Sequence, residues 1–225
     1  MSTLLLLLLT FGSPPADAKK PPPVASWRVG DAVADEHKKG MTALTSADWA
    51  AAEASFKLVL VAEPECGQAL TGLGRALVMQ GRPADALPPL QAATRLFADQ
   101  VEAHLWHAKA AAASGDRPTA LAEAKAAILI KPGNVDAQRV AQGVLREETR
   151  HDEAHAMLAT ARVAANNPAF DCMEGVLFAR EGKLGDAQRM GTTCSGVPDT
   201  TLYTELTREI SEAVTRSEGA ATPTP

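Results

Sequence analysis

The sequence is poor in aromatic residues, which make up 4% of its 225 residues and include a single tyrosine. Its apolar fraction of 46% therefore rests mainly on alanine and leucine, both strong helix formers. Valine, isoleucine, threonine and the aromatic residues do not gather into alternating runs, so strands are not indicated. The composition predicts an all-α fold.

An excess of basic charge is also absent. The chain carries 22 lysine and arginine residues against 27 acidic residues, a net charge of −5, and the two signs are interspersed. Nucleic-acid binders show a basic patch or stripe. We therefore expect no nucleic-acid partner.

Long hydrophobic runs are missing as well. The leucine run Leu4–Leu9 is too short to span a bilayer, but it has the length of the apolar core of a signal peptide. A small-x-small cleavage pattern, Ala16-Asp17-Ala18, follows it. We expect residues 1–18 to be an export signal and the protein to be periplasmic or secreted in a bacterium. The alternative is an uncleaved anchor, which would be its only link to a membrane.

Proline marks the segments on either side of the predicted body. Pro21, Pro22 and Pro23 lie in a segment that is unfavourable for helix or strand, so residues 19–32 are expected to be a linker. The tail from residue 218 to 225, with Pro223 and Pro225, is expected to be disordered.

Between these segments the sequence repeats itself every 34 residues. The glycines at 81 and 115 are each followed by proline and then by Ala-Leu. Other positions recur at the same step: Gly40, Gly74 and Ala108; Ala52, Ala86, Ala120 and Ala154. In each unit an apolar helical segment ends near a glycine, which suits a helix C-terminus, and proline suits the start of the next helix. Each unit therefore predicts a helix–turn–helix that buries its apolar faces against neighbouring units.

This pattern resembles the tetratricopeptide repeat family. The resemblance rests on the 34-residue period, the small residues at 40, 74 and 175, the recurring alanines and the prolines at 64 and 132. It implies an α-solenoid over residues 33–201, followed by a capping helix at 202–217. We place its units at 33–66, 67–100, 101–134, 135–167 and 168–201.

The resemblance further implies that a peptide or partner protein docks on the concave surface formed by the first helix of each unit. Some family members clamp a chaperone C-terminus with lysine and asparagine where this sequence has His37 and Met41, so that mode is not expected. An apolar patch is expected near Met41, Leu44, Val78 and Leu105. The residues predicted to line the groove are His37, Met41, Leu44, Gln68, Thr71, Arg75, Val78, Glu102, Leu105, Lys109, Asp136, Arg139 and Arg146.

Residues with catalytic potential are few. No nucleophile elbow or phosphate-binding loop occurs. His151 and His155 are spaced to share a helix face, but Asp152 stands where a zinc protease has glutamate, and no third ligand is evident. We expect both histidines to be solvated at the start of a second helix, and His104 and His107 to pack partly buried.

The three cysteines leave one pairing open. Cys172 lies early in the first helix of the fifth unit and Cys194 late in its second helix, so the two side chains can meet across the pair. Either they form a disulfide or they are two buried thiols. Cys66 has no evident partner.

We therefore expect a non-catalytic scaffold or adaptor of the cell envelope that binds a protein or peptide, with no cofactor and no small-molecule substrate. A self-associating structural array is the first alternative. A metal-dependent hydrolase that uses His151 and His155 is the second.

Overall fold

The chain is described by a computed structural model over residues 25–197 and 200–220. In these residues the α-helices are α1 (Ala34–Thr45), α2 (Trp49–Ala62), α3 (Gly67–Met79), α4 (Pro83–Leu96), α5 (Val101–Ala113), α6 (Arg117–Ile130), α7 (Val135–Glu147), α8 (His151–Ala164), α9 (Ala169–Arg180), α10 (Leu184–Cys194) and α11 (Thr200–Ala220). The described ranges contain no strand, only an isolated bridge between Ser26 and Cys66.

The helices form five consecutive antiparallel pairs, from α1–α2 to α9–α10, and each pair packs on the next. We call these pairs units one to five. Helix α11 packs on α9 and α10 at the end of the array. The predicted fold class, an α-solenoid of five helix pairs with a capping helix, is confirmed.

Local sequence signals determine where the helices begin. Proline occupies the first turn of α4 and of α6, where its missing N–H removes no helical hydrogen bond. The side chain of Asp48 accepts a hydrogen bond from the backbone N–H of Ala51 at 3.0 Å, and Asp116 accepts one from Thr119 at 3.2 Å. These caps fix the entry into the second helix of units one and three.

Small residues let the paired helices approach each other. Gly40 on α1 faces Phe56 on α2, and an added Cβ would lie 3.0 Å from the ring. Gly74 on α3 faces Leu90 on α4, and an added Cβ would overlap that side chain. Phe56 and Leu90 are fully buried. The recurring alanines at positions 52, 86, 120 and 154 are also fully buried, so the period of 34 records the core contacts of successive units.

Part of the predicted linker is packed against the array. We call residues 25–30 the N-terminal strap. The carbonyl oxygens of Ser26 and Trp27 accept hydrogen bonds from the backbone N–H groups of Gly67 and Gln68, at 2.7 and 2.8 Å. The strap is held there because α3 has no side-chain cap, so its first N–H groups need other acceptors.

The last helix is longer than predicted. Helix α11 begins at Thr200 rather than at 202 and continues to Ala220 rather than to 217, so residues 218–220 of the predicted disordered tail are helical. No proline occurs between Thr200 and Pro223 to interrupt this helix. The predicted export signal, the linker before residue 25 and residues 221–225 lie outside the described residues. No helix in the described ranges is long and apolar enough to cross a membrane.

Candidate functional site

The first helices of units one to three surround a cavity of about 140 Å³. Helices α1, α3 and α5 supply most of its wall, and Trp27 of the strap closes one side. The lining residues are Trp27, His37, Met41, Leu44, Gln68, Thr71, Gly72, Arg75 and Glu102. Seven of them are among the residues predicted to line the groove, and the structure brings these seven together around one opening.

Three side chains of this cavity carry buried polar atoms without a hydrogen-bond partner. These atoms are Nε2 of His37, Oγ1 of Thr71 and Nε of Arg75. Thr71 is 5% exposed. Burial lowers the pKa of His37, so its ring is neutral at pH 7. Because buried polar groups in folded proteins are normally paired, such a cluster is typical of a binding site.

Next to the cavity, two cations flank one indole ring. Cζ of Arg75 lies 5.2 Å and Nζ of Lys109 lies 4.7 Å from the ring centroid of Trp106. Each cation also faces an acid: Arg75 lies 4.0 Å from Glu102, and Lys109 lies 3.2 Å from Asp136. The groove therefore presents alternating charges along helices α3, α5 and α7.

The predicted apolar patch is not one continuous exposed surface. Leu44 is 3% exposed and belongs to the core, where it also lines the cavity, whereas Leu105 is 9% exposed and packs with residues of α6 and α7. Val78 is half-buried, and Met41, at 41%, is the exposed member of the four. Apolar contact surface in the groove is thus concentrated at the cavity.

The far end of the groove is used for internal contacts. Arg146 on α7 forms an ion pair with Glu205 on α11 at 2.5 Å. Arg139 is half-buried and also engaged in an interaction. We therefore assign Arg146 to holding the capping helix, and centre the candidate site on units one to three.

The prediction that His151 and His155 are solvated is wrong. Nδ1 of His155 lies 2.6 Å from Oε1 of Glu174, and Nε2 lies 3.0 Å from Oε1 of Glu181. The ring also packs on Phe178, with 4.9 Å between the centroids. His151 is half-buried. Unit five covers this face of α8, which the spacing within α8 alone does not reveal.

A second histidine cluster lies between units two and three. His104 and His107 are 7% and 5% exposed, and both face the carboxylate of Glu123, at 2.6 and 3.2 Å. Burial alone would raise the pKa of Glu123, but hydrogen bonds and charge attraction from the two histidines lower it to about 2. Both clusters pair imidazole with carboxylate, and no set of three side chains in the described ranges is arranged to hold a metal ion.

Cys172 and Cys194 are bonded in the structure. Their Cα atoms lie 5.0 Å apart, and the bridge joins α9 to the end of α10. Cys66, the third cysteine, is a buried free thiol, and burial raises its pKa.

Comparison with known families and structures agrees with this architecture. The tetratricopeptide repeat family model matches residues 37–100 and 80–135. A tetratricopeptide repeat protein from Parabacteroides merdae is similar with a TM-score of 0.66, at 17% identity over 87% of this chain and 82% of that one. A thermophilic TPR protein of Thermus thermophilus gives 0.62, at 18% identity over 79% and 98%. At these identities the likeness concerns the fold.

A third structure is more similar in sequence. YrrB, described as a TPR protein with an unusual peptide-binding site, shares 27% identity over 60% of this chain and 71% of that one, with a TM-score of 0.52. No protein of curated function matches this chain.

Proposed function

We propose that this chain, an α-solenoid of tetratricopeptide type, is a non-catalytic scaffold of the bacterial cell envelope that binds a peptide or partner protein in its concave groove. The observation that carries the proposal is the cavity between α1, α3 and α5, with its unpartnered polar atoms and the cation-flanked Trp106 beside it. An extended or helical segment with one anchoring side chain and complementary charges suits such a surface. The peptide-binding site named for YrrB supports this choice.

The envelope location is supported by two features. The sequence of residues 1–18 has the pattern of an export signal. The bridge between Cys172 and Cys194 suits an oxidising compartment. Mass spectrometry of the protein purified from its host tests the location: we expect the chain to begin at Lys19. A chain that retains Leu4–Leu9 would indicate an anchor instead.

The groove is tested with charge-reversal variants of the full-length protein carrying a C-terminal tag. Partners are cross-linked in living cells and recovered from the envelope fraction. We expect one specific partner to bind the native protein and to be lost from Arg75→Glu and Lys109→Glu, because each variant replaces a cation with a second negative charge beside Glu102 or Asp136.

Lys131 provides the matched control. It is exposed after the end of α6, outside the first helices, so Lys131→Glu makes the same charge change away from the groove. This variant should keep the partner. The recovered partner is then titrated against the purified native protein and the three variants. Equal binding by all four proteins would place the interface elsewhere.

Self-association is a second candidate function, and one observation favours it. Aliphatic residues near the ends of α2, α6 and α8 are highly exposed: Val61 is 81%, Leu129 85% and Val163 91% exposed. Light scattering at increasing protein concentration separates the two candidates. A monomer at every concentration would exclude self-association. Oligomers that are abolished by Leu129→Ser and Val163→Ser would support it.

A further inference from the structure

The cavity between the first helices of units one to three has the size of one aromatic ring. A volume of about 140 Å³ is close to the ~150 Å³ of an engineered apolar cavity that holds benzene. Its walls include the indole of Trp27 and the apolar side chains of Met41 and Leu44. A flat apolar group therefore fits between the strap and α1.

The polar atoms of the cavity combine one fixed donor with two groups that can either donate or accept. Nε of Arg75 can only donate, and the hydroxyl of Thr71 can do either. The ring of His37 is neutral at pH 7, so one of its nitrogens accepts. A single hydroxyl group offers one donor and two acceptor positions, so it matches these three atoms in number and in hydrogen-bonding type.

A carboxylate suits this cavity less well. Arg75 already faces Glu102 at 4.0 Å, so a second anion would lie close to an existing one. An unsubstituted hydrocarbon would leave all three polar atoms without partners.

We propose that this cavity binds the side chain of a tyrosine of the partner, with the ring between Trp27 and Met41 and the hydroxyl at Thr71 and Arg75. The proposal rests on the proposed function, because it names the anchoring residue of the peptide that the groove would hold. It places the specificity of the scaffold in a phenol pocket lined by the first helices of units one to three.

Three small probes with the same ring test the site without any partner. These are p-cresol, toluene and 4-methylbenzoate, each titrated into the full-length protein and followed by the methyl NMR signal of Met41. We expect p-cresol to bind at least about tenfold more tightly than toluene, because toluene leaves buried donors unpaired. We expect it to bind more tightly than 4-methylbenzoate as well.

A pair of threonine variants connects the affinity to the cavity. Thr71→Val keeps the shape of the side chain and removes the hydroxyl, so it should weaken p-cresol binding several-fold and should tighten toluene binding or leave it unchanged. Thr94→Val changes a threonine of similar burial outside the cavity. This control should bind p-cresol as the native protein does.

Three results would overturn the phenol pocket. Equal affinity for p-cresol and toluene would make the cavity purely apolar. Tightest binding of 4-methylbenzoate would make it a carboxylate site, and no binding of any probe would show that the cavity is closed. If p-cresol binds as expected but no cross-linked partner depends on Arg75 and Lys109, the proposed function fails while the phenol pocket stands.

Discussion

One residue in the turn of each unit has a left-handed backbone. Glycine fills this place at 81, 115 and 182, with φ of 73°, 80° and 76°, whereas Ala47 and Thr149 hold it with φ of 59° and 56°. A side chain in this conformation costs about 1–2 kcal/mol, because its Cβ approaches the following carbonyl oxygen. Units one and four therefore carry strain that units two, three and five avoid.

We expect Ala47→Gly to raise the free energy of unfolding by about 0.5–1 kcal/mol, since the relief of strain exceeds the added chain entropy. Thr149→Gly should raise the free energy of unfolding by more, because threonine is branched at Cβ. Urea denaturation measures both. Ala54→Gly, at an exposed position inside α2, is the control, and its free energy of unfolding should fall by about 1 kcal/mol. If Ala47→Gly lost as much as Ala54→Gly, the strain would be refuted.

The pairing of His104 with Glu123 predicts a pH dependence. Nδ1 of His104 faces the carboxylate at 2.6 Å and Nε2 faces the carbonyl of Ala98 at 3.0 Å, so both nitrogens need a proton. The hydrogen bond to Glu123 raises the pKa of His104, although burial opposes it. The stability this adds is complete below the unfolded pKa of about 6.5 and is lost as pH rises through the folded pKa.

The partner acid sets the lower limit. The pKa of Glu123 is lowered to about 2, so its contribution is present above the unfolded value of 4.5 and is lost as pH falls toward 2. The pair is therefore most stabilising between about pH 4.5 and 6.5. Chemical denaturation of the native protein and His104→Gln should show a large difference at about pH 5.5 and a smaller one at about pH 9. A difference that grows with pH would contradict this assignment.

For His155, the sequence predicts burial but not the side chains that pair with it. Steps of 34 place it in line with Leu87 and Leu121, which are half-buried and buried, so burial of this position was readable from the repeat. Its partners were not, because Glu174 and Glu181 belong to unit five, where the period shortens by one residue. The pairing depends on how units four and five pack, and their sequences depart from the 34-residue pattern.

At the scale of the helix pair, close approach depends on one small residue. Gly74 leaves room for Leu90, whereas the equivalent positions in unit three hold Ala108 and Ala124. The chain therefore contains both a glycine–leucine pair and an alanine–alanine pair at this contact. We expect Gly74→Ala to cost about 1–3 kcal/mol through overpacking. Leu90→Ala should cost about 2–5 kcal/mol through a cavity.

Together these two changes reproduce the pair of unit three. The double variant should therefore be less destabilised than the sum of the single variants, because the added methyl group occupies part of the space that the leucine leaves. Urea denaturation of the four proteins completes the cycle. Strict additivity would mean that residues 74 and 90 do not constrain each other.

The bridge in unit five is tested by counting thiols. Cys172 and Cys194 are 22 residues apart, and closing a loop of this size stabilises by about 3 kcal/mol. Denatured, unreduced protein should show one reactive thiol, that of Cys66, and reductant should lower its melting temperature. Cys66→Ala, the control, should keep the response to reductant and show no thiol. Three thiols in the native chain would exclude the bridge.

The elements were predictable where a local signal marks them. The glycines of the turns, the prolines of the first helical turns and the aspartate caps can be recognised in the sequence, and the helices begin and end at them. The N-terminal strap gave no such signal. Its position depends on the uncapped N-terminus of α3 and on the contact between the rings of Trp27 and Phe97, whose centroids are 5.7 Å apart. Both features exist only after unit two has folded.

For the whole molecule, the repeat pattern defined the array but not its weakest place. Repeat arrays are stabilised by contacts between neighbours, so a poor unit opens without unfolding the rest. Unit four has three weaknesses: the left-handed Thr149, the fully buried Gln138 with both amide atoms unpartnered, and Gln142 with an unpartnered Oε1. The equivalent of Gln138 is Leu70 in unit two and His104 in unit three, and the ring nitrogens of His104 are paired.

We therefore expect α7 and α8 to open first. Hydrogen exchange followed by mass spectrometry should show faster exchange in these helices than in α3 to α6, and than in the disulfide-bridged α9 and α10. Gln138→Leu removes two unpaired buried polar atoms and should stabilise unit four by about 1–3 kcal/mol, because that is the usual cost of such groups. It should slow exchange in α7 and α8 and leave α3 and α4 unchanged. Slowing over the whole chain would instead show that the array unfolds as one cooperative body, and unit four would then not be its weak point.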